Sequence, residues 1–289
     1  MIAAKRAASA PWWPAAATLV VSAAALGAAL LIPNAFSDPN GVDPNVIRLG
    51  AVSLLLLAAA FMSARLAPAR PVLLALVAIT TSFSLFAGGP QLLQDVLGPR
   101  TPPAAAQIFW ASLAQLVVTA IVAALSLRLL AAELRPSLRL THFGIRGATA
   151  SLIGVALIVG LALALPASLL GREGLQPVAI ARDLSWLGPA SVLQALSQEL
   201  QFRGLLMGAL ERVAPRGWAN VAQAAFFGLT HVAVNYQGPV GPFVPVTIAV
   251  GLVLGWVVQR THSLWPAVII HAAGDIGITV AVVSGLYGF

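Results

Sequence analysis

The sequence predicts an all-α protein, a polytopic transmembrane helix bundle of about nine spans with a polar cluster between the last four. Three observations predict it. Hydrophobic residues make up 59% of the 289-residue chain, charged residues only 9%, and mean hydropathy is +0.92. A soluble domain carries about 25% charged residues, so this chain has too few to cover a water-facing surface. The apolar residues gather into runs long enough to cross a bilayer, and the basic residues fall between those runs with a strong asymmetry.

A helix needs about 20 residues to cross the hydrocarbon. The first run, Trp12–Ile32, follows Lys5 and Arg6. It exceeds the apolar core of a signal peptide, about 7–15 residues, and reads as a retained first span. Pro11-Trp12-Trp13-Pro14 before it reads as an interfacial anchor. The next runs are Leu49–Leu66, Pro71–Gly88, Gln107–Leu130 and Ala148–Leu170. The stretch Gly171–Trp186 mixes Arg172, Glu173, Arg182 and Asp183 with apolar residues and reads as a membrane-surface segment or a plain loop. Leu187–Leu210, Trp218–Tyr236, Val244–Gln259 and Trp265–Leu286 complete the count. Ala- and Gly-rich faces suit close packing of such helices.

With a cytoplasmic N-terminus, the cytoplasmic side receives Lys5, Arg6, Arg65, Arg70, Arg128, Arg135, Arg139, Arg146, Arg212, Arg216 and Arg260. The other side receives Arg48, Arg100, Arg172 and Arg182, and Arg203 lies within a span. Short cytoplasmic loops carry the excess of Lys and Arg, so the nine-span arrangement runs N-in, C-out. The pI near 11.4 therefore reflects orientation on a lipid bilayer, and no basic-aromatic surface points to nucleic acid. The absence of cysteine excludes disulfides, a thiol nucleophile and Cys-ligated metal. No internal repeat or low-complexity tract is present.

Five ionisable side chains sit inside the late apolar runs: Glu199, Arg203, His231, His271 and Asp275. A charge at the centre of a membrane helix costs roughly 2.5–3.5 kcal/mol on insertion scales and usually marks a functional site. Of the nine Asp and Glu residues, only Glu199 and Asp275 fall within spans. Glu199 and Arg203 are four apart, as are Phe227 and His231, and His271 and Asp275. That spacing places each pair on one helical face, so three helices each turn a polar face to the others.

The sixth run reads Ser197-Gln198-Glu199-Leu200-Gln201-Phe202-Arg203-Gly204. Gln-Glu-x-x-Phe-Arg-Gly, then Phe-x-x-x-His, then His-x-x-x-Asp, in that order on three late helices, resembles the CPBP family, the CAAX-protease and bacteriocin-processing (Abi) intramembrane glutamic endopeptidases. Phe143-Gly144-Ile145-Arg146 and the long span after it resemble the start of that family's core. The resemblance covers roughly Leu138–Leu286. It divides the chain into residues 1–137, N-terminal transmembrane helices of unassigned role, and 138–289, a membrane-embedded protease-like core.

The resemblance implies endoproteolysis of a peptide or membrane-protein substrate at the membrane, by a water activated between glutamate and histidine. It places the histidine partner role on His231, oxyanion stabilisation on His271 and Asp275, and bracing of the carboxylates on Arg203. The family's first motif reads Glu-Glu-x-x-x-Arg, and the position of its first Glu is Gln198 here. An amide takes no proton from water. Either Glu199 reaches the water through a local bulge or a rotated side chain, or His231 is the base and Gln198 positions the water. Otherwise the chain is a pseudoprotease that binds without cutting, as an immunity, scaffold or chaperone-like factor.

Plainer readings stand beside these. Glu199–Arg203 can be a structural ion pair, His231 a packing hydrogen bonder, His271 an interfacial residue and Asp275 a lone helix-packing acid. Phe227 reads as packing, and Asn235 as a helix-terminus residue rather than an extension of the polar face. His142 and His262 lie in loops without an assigned role. No cofactor and no metal are expected, since the chain lacks His-Glu-x-x-His and the glutamic mechanism needs no ion. Serine chemistry of the rhomboid kind lacks a Gly-x-Ser element paired with a histidine. A proton-coupled transporter using Glu199, His231 and Asp275 would call for repeat symmetry, which is not found. The Ala/Arg-rich usage suits a bacterial plasma membrane, with leader peptides or membrane-protein segments rather than prenylated termini as substrates. Oligomeric state is not legible.

Overall fold

The structure is a computed structural model. It describes residues 44–62, 64–98, 104–129, 144–164, 177–231 and 243–286, with residues 17, 20 and 21 besides. The described residues form helices and no strand. They are α1 (Pro44–Met62), α2 (Arg70–Leu97), α3 (Ala104–Leu129), α4 (Ile145–Ala164), α5 (Pro177–Glu199), α6 (Arg216–Thr230), α7 (Phe243–Thr261) and α8 (Trp265–Leu286). A 3₁₀ segment, Ala64–Ala69, joins α1 to α2. Past Glu199 the α5 helix continues through a π-wound segment, Leu200–Leu206, and a last α-turn, Met207–Leu210.

These eight helices coincide with the second to ninth apolar runs, and Trp12–Ile32 lies outside the described residues. Ala105–Leu125 and Val244–Thr261 are long and apolar enough to cross a membrane, while the apolar stretches of α1, α2 and α4 are shorter. The count of nine spans thus stays an expectation. The stretch read as a surface segment or loop differs from Pro177 onward, where it is already helical. Proline suits a first helical position, because the N–H it lacks has no helical partner there.

The distribution of polarity is that of a protein dissolved in lipid. Ile47, Leu54, Leu55, Phe61 and Met62 of α1 and Ile145, Leu152, Ile153 and Leu157 of α4 face outward, whereas Gln115, Thr119, Ser197, Glu199, Gln201 and Arg203 are fully buried. In water such an apolar face would drive association. In lipid it contacts the solvent, and side-chain polarity turns inward. Hydroxyls within the helices are satisfied locally: Ser53, Thr80, Ser112, Thr119, Ser151 and Ser191 each donate to the carbonyl four residues back.

Helices α1, α2 and α3 pack in sequence, and α3 lies along α5. Phe109 of α3 meets Trp186 of α5, and further on Thr119 meets Ser197, so these two helices run in the same direction. The second group pairs α6 with α7, and α8 with both α4 and α5. The π-wound segment sits where the two groups join, against α2 on one side and α6 on another. All seven of its residues are buried.

Candidate active site

Glu199 is the last residue of α5 before the winding changes. A π-turn is rare, occurs mostly as a single turn inside an α-helix and is frequent at functional sites. It changes the angular spacing of the side chains that follow. Here Arg203 still reaches back, and its Nη1 donates to Glu199 Oε1 at 2.8 Å with both side chains fully buried. Its Nη2 donates to the Gly251 carbonyl of α7 at 3.3 Å. The guanidinium carbon lies 4.5 Å from the centre of the Phe227 ring, a cation–π distance. The buried charge is therefore held by a carboxylate, a carbonyl and an aromatic face.

Glu199 Oε1 is shared. His271 Nδ1 of α8 lies 2.7 Å from that same oxygen. A carboxylate oxygen accepts, so Nδ1 of His271 carries a proton. The other nitrogen, Nε2, faces Asp275 Oδ1 across 3.6 Å, longer than a hydrogen bond. His271 is 7% exposed and Asp275 24%, so the cluster opens toward the Asp275 side.

His231 follows the last α6 residue, Thr230, where the chain leaves α-helical winding. Its Nδ1 lies 2.7 Å from the Phe227 carbonyl one turn back. A carbonyl only accepts, so Nδ1 bears the proton and the neutral ring keeps its lone pair on Nε2. His231 makes no hydrogen bond to Glu199, His271 or Asp275 among the described residues. What links them is Phe227. Its ring meets His231 at 4.6 Å, Phe202 at 5.2 Å and His271 at 5.5 Å between centroids, each edge to face. One aromatic ring thus touches both imidazoles and supports the guanidinium.

Gln198 is buried, and its Oε1 has no hydrogen-bond partner among the described residues. Glu199 Oε2 and Asp275 Oδ2 are in the same position. These are three buried acceptor oxygens, on Gln198, Glu199 and Asp275, left without a protein partner among the described residues. The residue types suffice for hydrolysis of an amide, which needs an acceptor for a water proton and donors where negative charge develops.

The structure brings Glu199, Arg203, His271 and Asp275 into one chain of contacts and seats Phe227 and His231 against it. His262 is exposed at the α7–α8 connection, in left-handed backbone with φ 55°. His142 and Asn235 lie outside the described residues. Sequence reasoning missed Asn220 and Gln223. Gln223 Nε2 donates to Gly251 O at 2.9 Å, the carbonyl that also receives Arg203, and to Asn220 Oδ1 at 2.7 Å. Asn220 Nδ2 in turn donates to Leu252 O at 3.0 Å. Gly255 makes this possible, since a Cβ there would collide with Asn220 Oδ1 and lie 2.7 Å from Gln223 Nε2. Two amides three apart in an apolar run were the available signal. A second missed group, around Gln201, lies on the other side of the π-wound segment.

Residues 180–277 match the family model described as Rce1-like, type II CAAX prenyl endopeptidase Rce1-like. That stretch holds all of Gln198, Glu199, Arg203, Phe227, His231, His271 and Asp275. No curated protein and no solved structure matches the chain.

Proposed function

We propose that this chain, a membrane protein with an Rce1-like domain of the CPBP protease family at residues 180–277, is a working endopeptidase of the CAAX-protease type. The observation that carries the reading is the His231 hydrogen bond to the Phe227 carbonyl. It leaves Nε2 as the basic atom of a histidine beside the buried carboxylate cluster. In this reading His231 Nε2 takes a proton from water while the second oxygen of Glu199 orients it. The hydroxide oxygen adds to the scissile carbonyl. The oxyanion that forms is stabilised by doubly protonated His271, whose Nδ1–H stays on Glu199 while its Nε2–H, on the Asp275 side, donates to the oxyanion. Collapse breaks the C–N bond, and the proton on His231 passes to the leaving amine. Arg203 holds the charge of Glu199 in place throughout, and no metal or cofactor takes part.

The substrate in this reading is a peptide or a membrane-protein segment presented at the bilayer of a bacterial plasma membrane, with the N-terminus of the enzyme cytoplasmic. The first 137 residues then form a helical platform for the core. The test is cleavage of a peptide library by the purified full-length protein in detergent. Products that disappear in His231→Ala support the reading, and products unchanged in that variant overturn it.

Gln198 favours a second reading. At the position of the family's first Glu it offers an amide, which binds water or a peptide but takes up no proton. A pseudoprotease built this way would act by binding. It predicts no cleavage by the native chain and recovery of cleavage in Gln198→Glu.

A further inference from the structure

The π-wound segment is gripped from two sides, and only one grip belongs to the charged cluster. On the other side Gln201, fully buried, extends its amide among hydroxyls from three helices. Nε2 lies 2.6 Å from Thr119 Oγ1 of α3, 2.8 Å from Ser82 Oγ of α2 and 3.0 Å from Ser197 Oγ of α5. The donors sort themselves. The Thr119 hydroxyl donates to the Gln115 carbonyl at 2.7 Å, so its oxygen receives. Ser197, 2.9 Å from Thr119, then gives its own proton to that oxygen. The amide has two hydrogens, and the two shortest of its three contacts lead to Thr119 and Ser82. Both lie on helices that precede the family-matched region.

Gln201 stands two residues after Glu199 and two before Arg203, inside the segment whose winding decides where those side chains point. A π-turn gains little from the helix itself and persists where its surroundings hold it. We propose that Gln201 is a positioning residue. By tying the π-wound segment to α2 and α3, it keeps Glu199 turned toward Arg203 and His271. The N-terminal helices are then part of the working site and not merely an anchor. As a statement about catalysis this rests on the hydrolytic reading above. As a statement about geometry it does not.

The experiment separates the two. Full-length protein with nitrogen-labelled histidine is studied by NMR in lipid nanodiscs, with the His271 imidazole resonances assigned by His271→Gln. In Gln201→Met those resonances are expected to move toward the values in Glu199→Gln, because the Glu199–His271 hydrogen bond lengthens. The double variant Ser82→Ala with Thr119→Val cuts the ties to α2 and α3 but leaves Ser197. It is expected to move them in the same direction, and it decides the matter if Gln201→Met does not fold. Ser53→Ala, which removes a 2.7 Å contact between α1 and α2 away from the site, is expected to leave them in place. With a cleavable peptide, kcat falls by about 100-fold, as for a misplacement of the order of 1 Å, at unchanged KM. Native His271 resonances in a folded Gln201→Met, or in the double variant, would overturn the proposal. Shifted resonances in a chain that cleaves nothing would uphold the positioning and remove the hydrolytic reading alone.

Discussion

Arg203 and His271 converge on one atom. Nη1 of the arginine and Nδ1 of the histidine lie 2.8 Å and 2.7 Å from Glu199 Oε1. The carboxylate is thereby fixed in rotation by two helices at once, and its second oxygen is left for other work. Charge-assisted hydrogen bonds of this kind are short and directional, so the cluster is a rigid one.

His271 contributes beyond this bracing if it also faces the developing oxyanion. Loss of one such donor typically costs about 100- to 1,000-fold in rate. His271→Ala is expected to lower kcat by that order, with little effect on KM, in steady-state peptide cleavage. A rise in KM at unchanged kcat would instead mark the residue as one that binds substrate without stabilising the oxyanion.

Arg203 shows the cost of a buried charge left alone. Removing one partner of a buried pair destabilises by about 3–5 kcal/mol. Arg203→Ala is expected to lose stability of that order in denaturant or thermal unfolding in detergent. Glu199→Gln combined with Arg203→Met is expected to regain part of it, since neither charge remains. Arg203→Lys is expected to fall between, because an ammonium cannot reach Glu199 and Gly251 together with the same planar fork.

Phe227 holds four neighbours with one ring. Phe227→Leu removes a cation–π contact worth about 0.5–2 kcal/mol and frees both imidazole rings to turn. The expected outcome is a modest fall in melting temperature with a larger loss of turnover. Equal losses in Phe227→Leu and in a remote core substitution such as Leu76→Ala would reduce the residue to packing.

Gly255 lets α7 approach the α6 amides. Overpacking a close contact costs typically about 1–3 kcal/mol. Gly255→Val is expected to destabilise by at least that, because Asn220 and Gln223 must withdraw from the Gly251 and Leu252 carbonyls. Asn220→Ala together with Gly255→Val is expected to recover part of the loss, measured as a double-mutant cycle in thermal unfolding.

Much of this was legible in the sequence because it rests on spacing. Glu199 with Arg203, Phe227 with His231 and His271 with Asp275 stand four apart, and charges in apolar runs turn toward one another. The positions of α1 to α8 follow from the apolar runs for the same reason. The π-wound segment was not legible. Leu200 to Leu206 have nothing in their own composition that selects the wider winding, and the neighbours of the segment lie on α2, α3, α6 and α7, far off in the chain. The Gln201 group escaped notice because Ser82, Thr119, Ser197 and Gln201 are far apart in the chain, and each is unremarked singly. The start of α5 was missed because Arg182 and Asp183 broke the apolar pattern, although Pro177 is a sound first helical residue. Phe227 read as packing, and only its contacts with two imidazoles show what it packs.

The most direct measurement of the central claim compares single-turnover cleavage of one peptide substrate by the native chain, Glu199→Gln and His231→Ala. The account predicts cleavage by the native chain and a loss of about 100-fold or more in each variant, the range for general acid–base groups. A silent native chain that gains cleavage on Gln198→Glu would contradict it and identify a protein that binds without cutting.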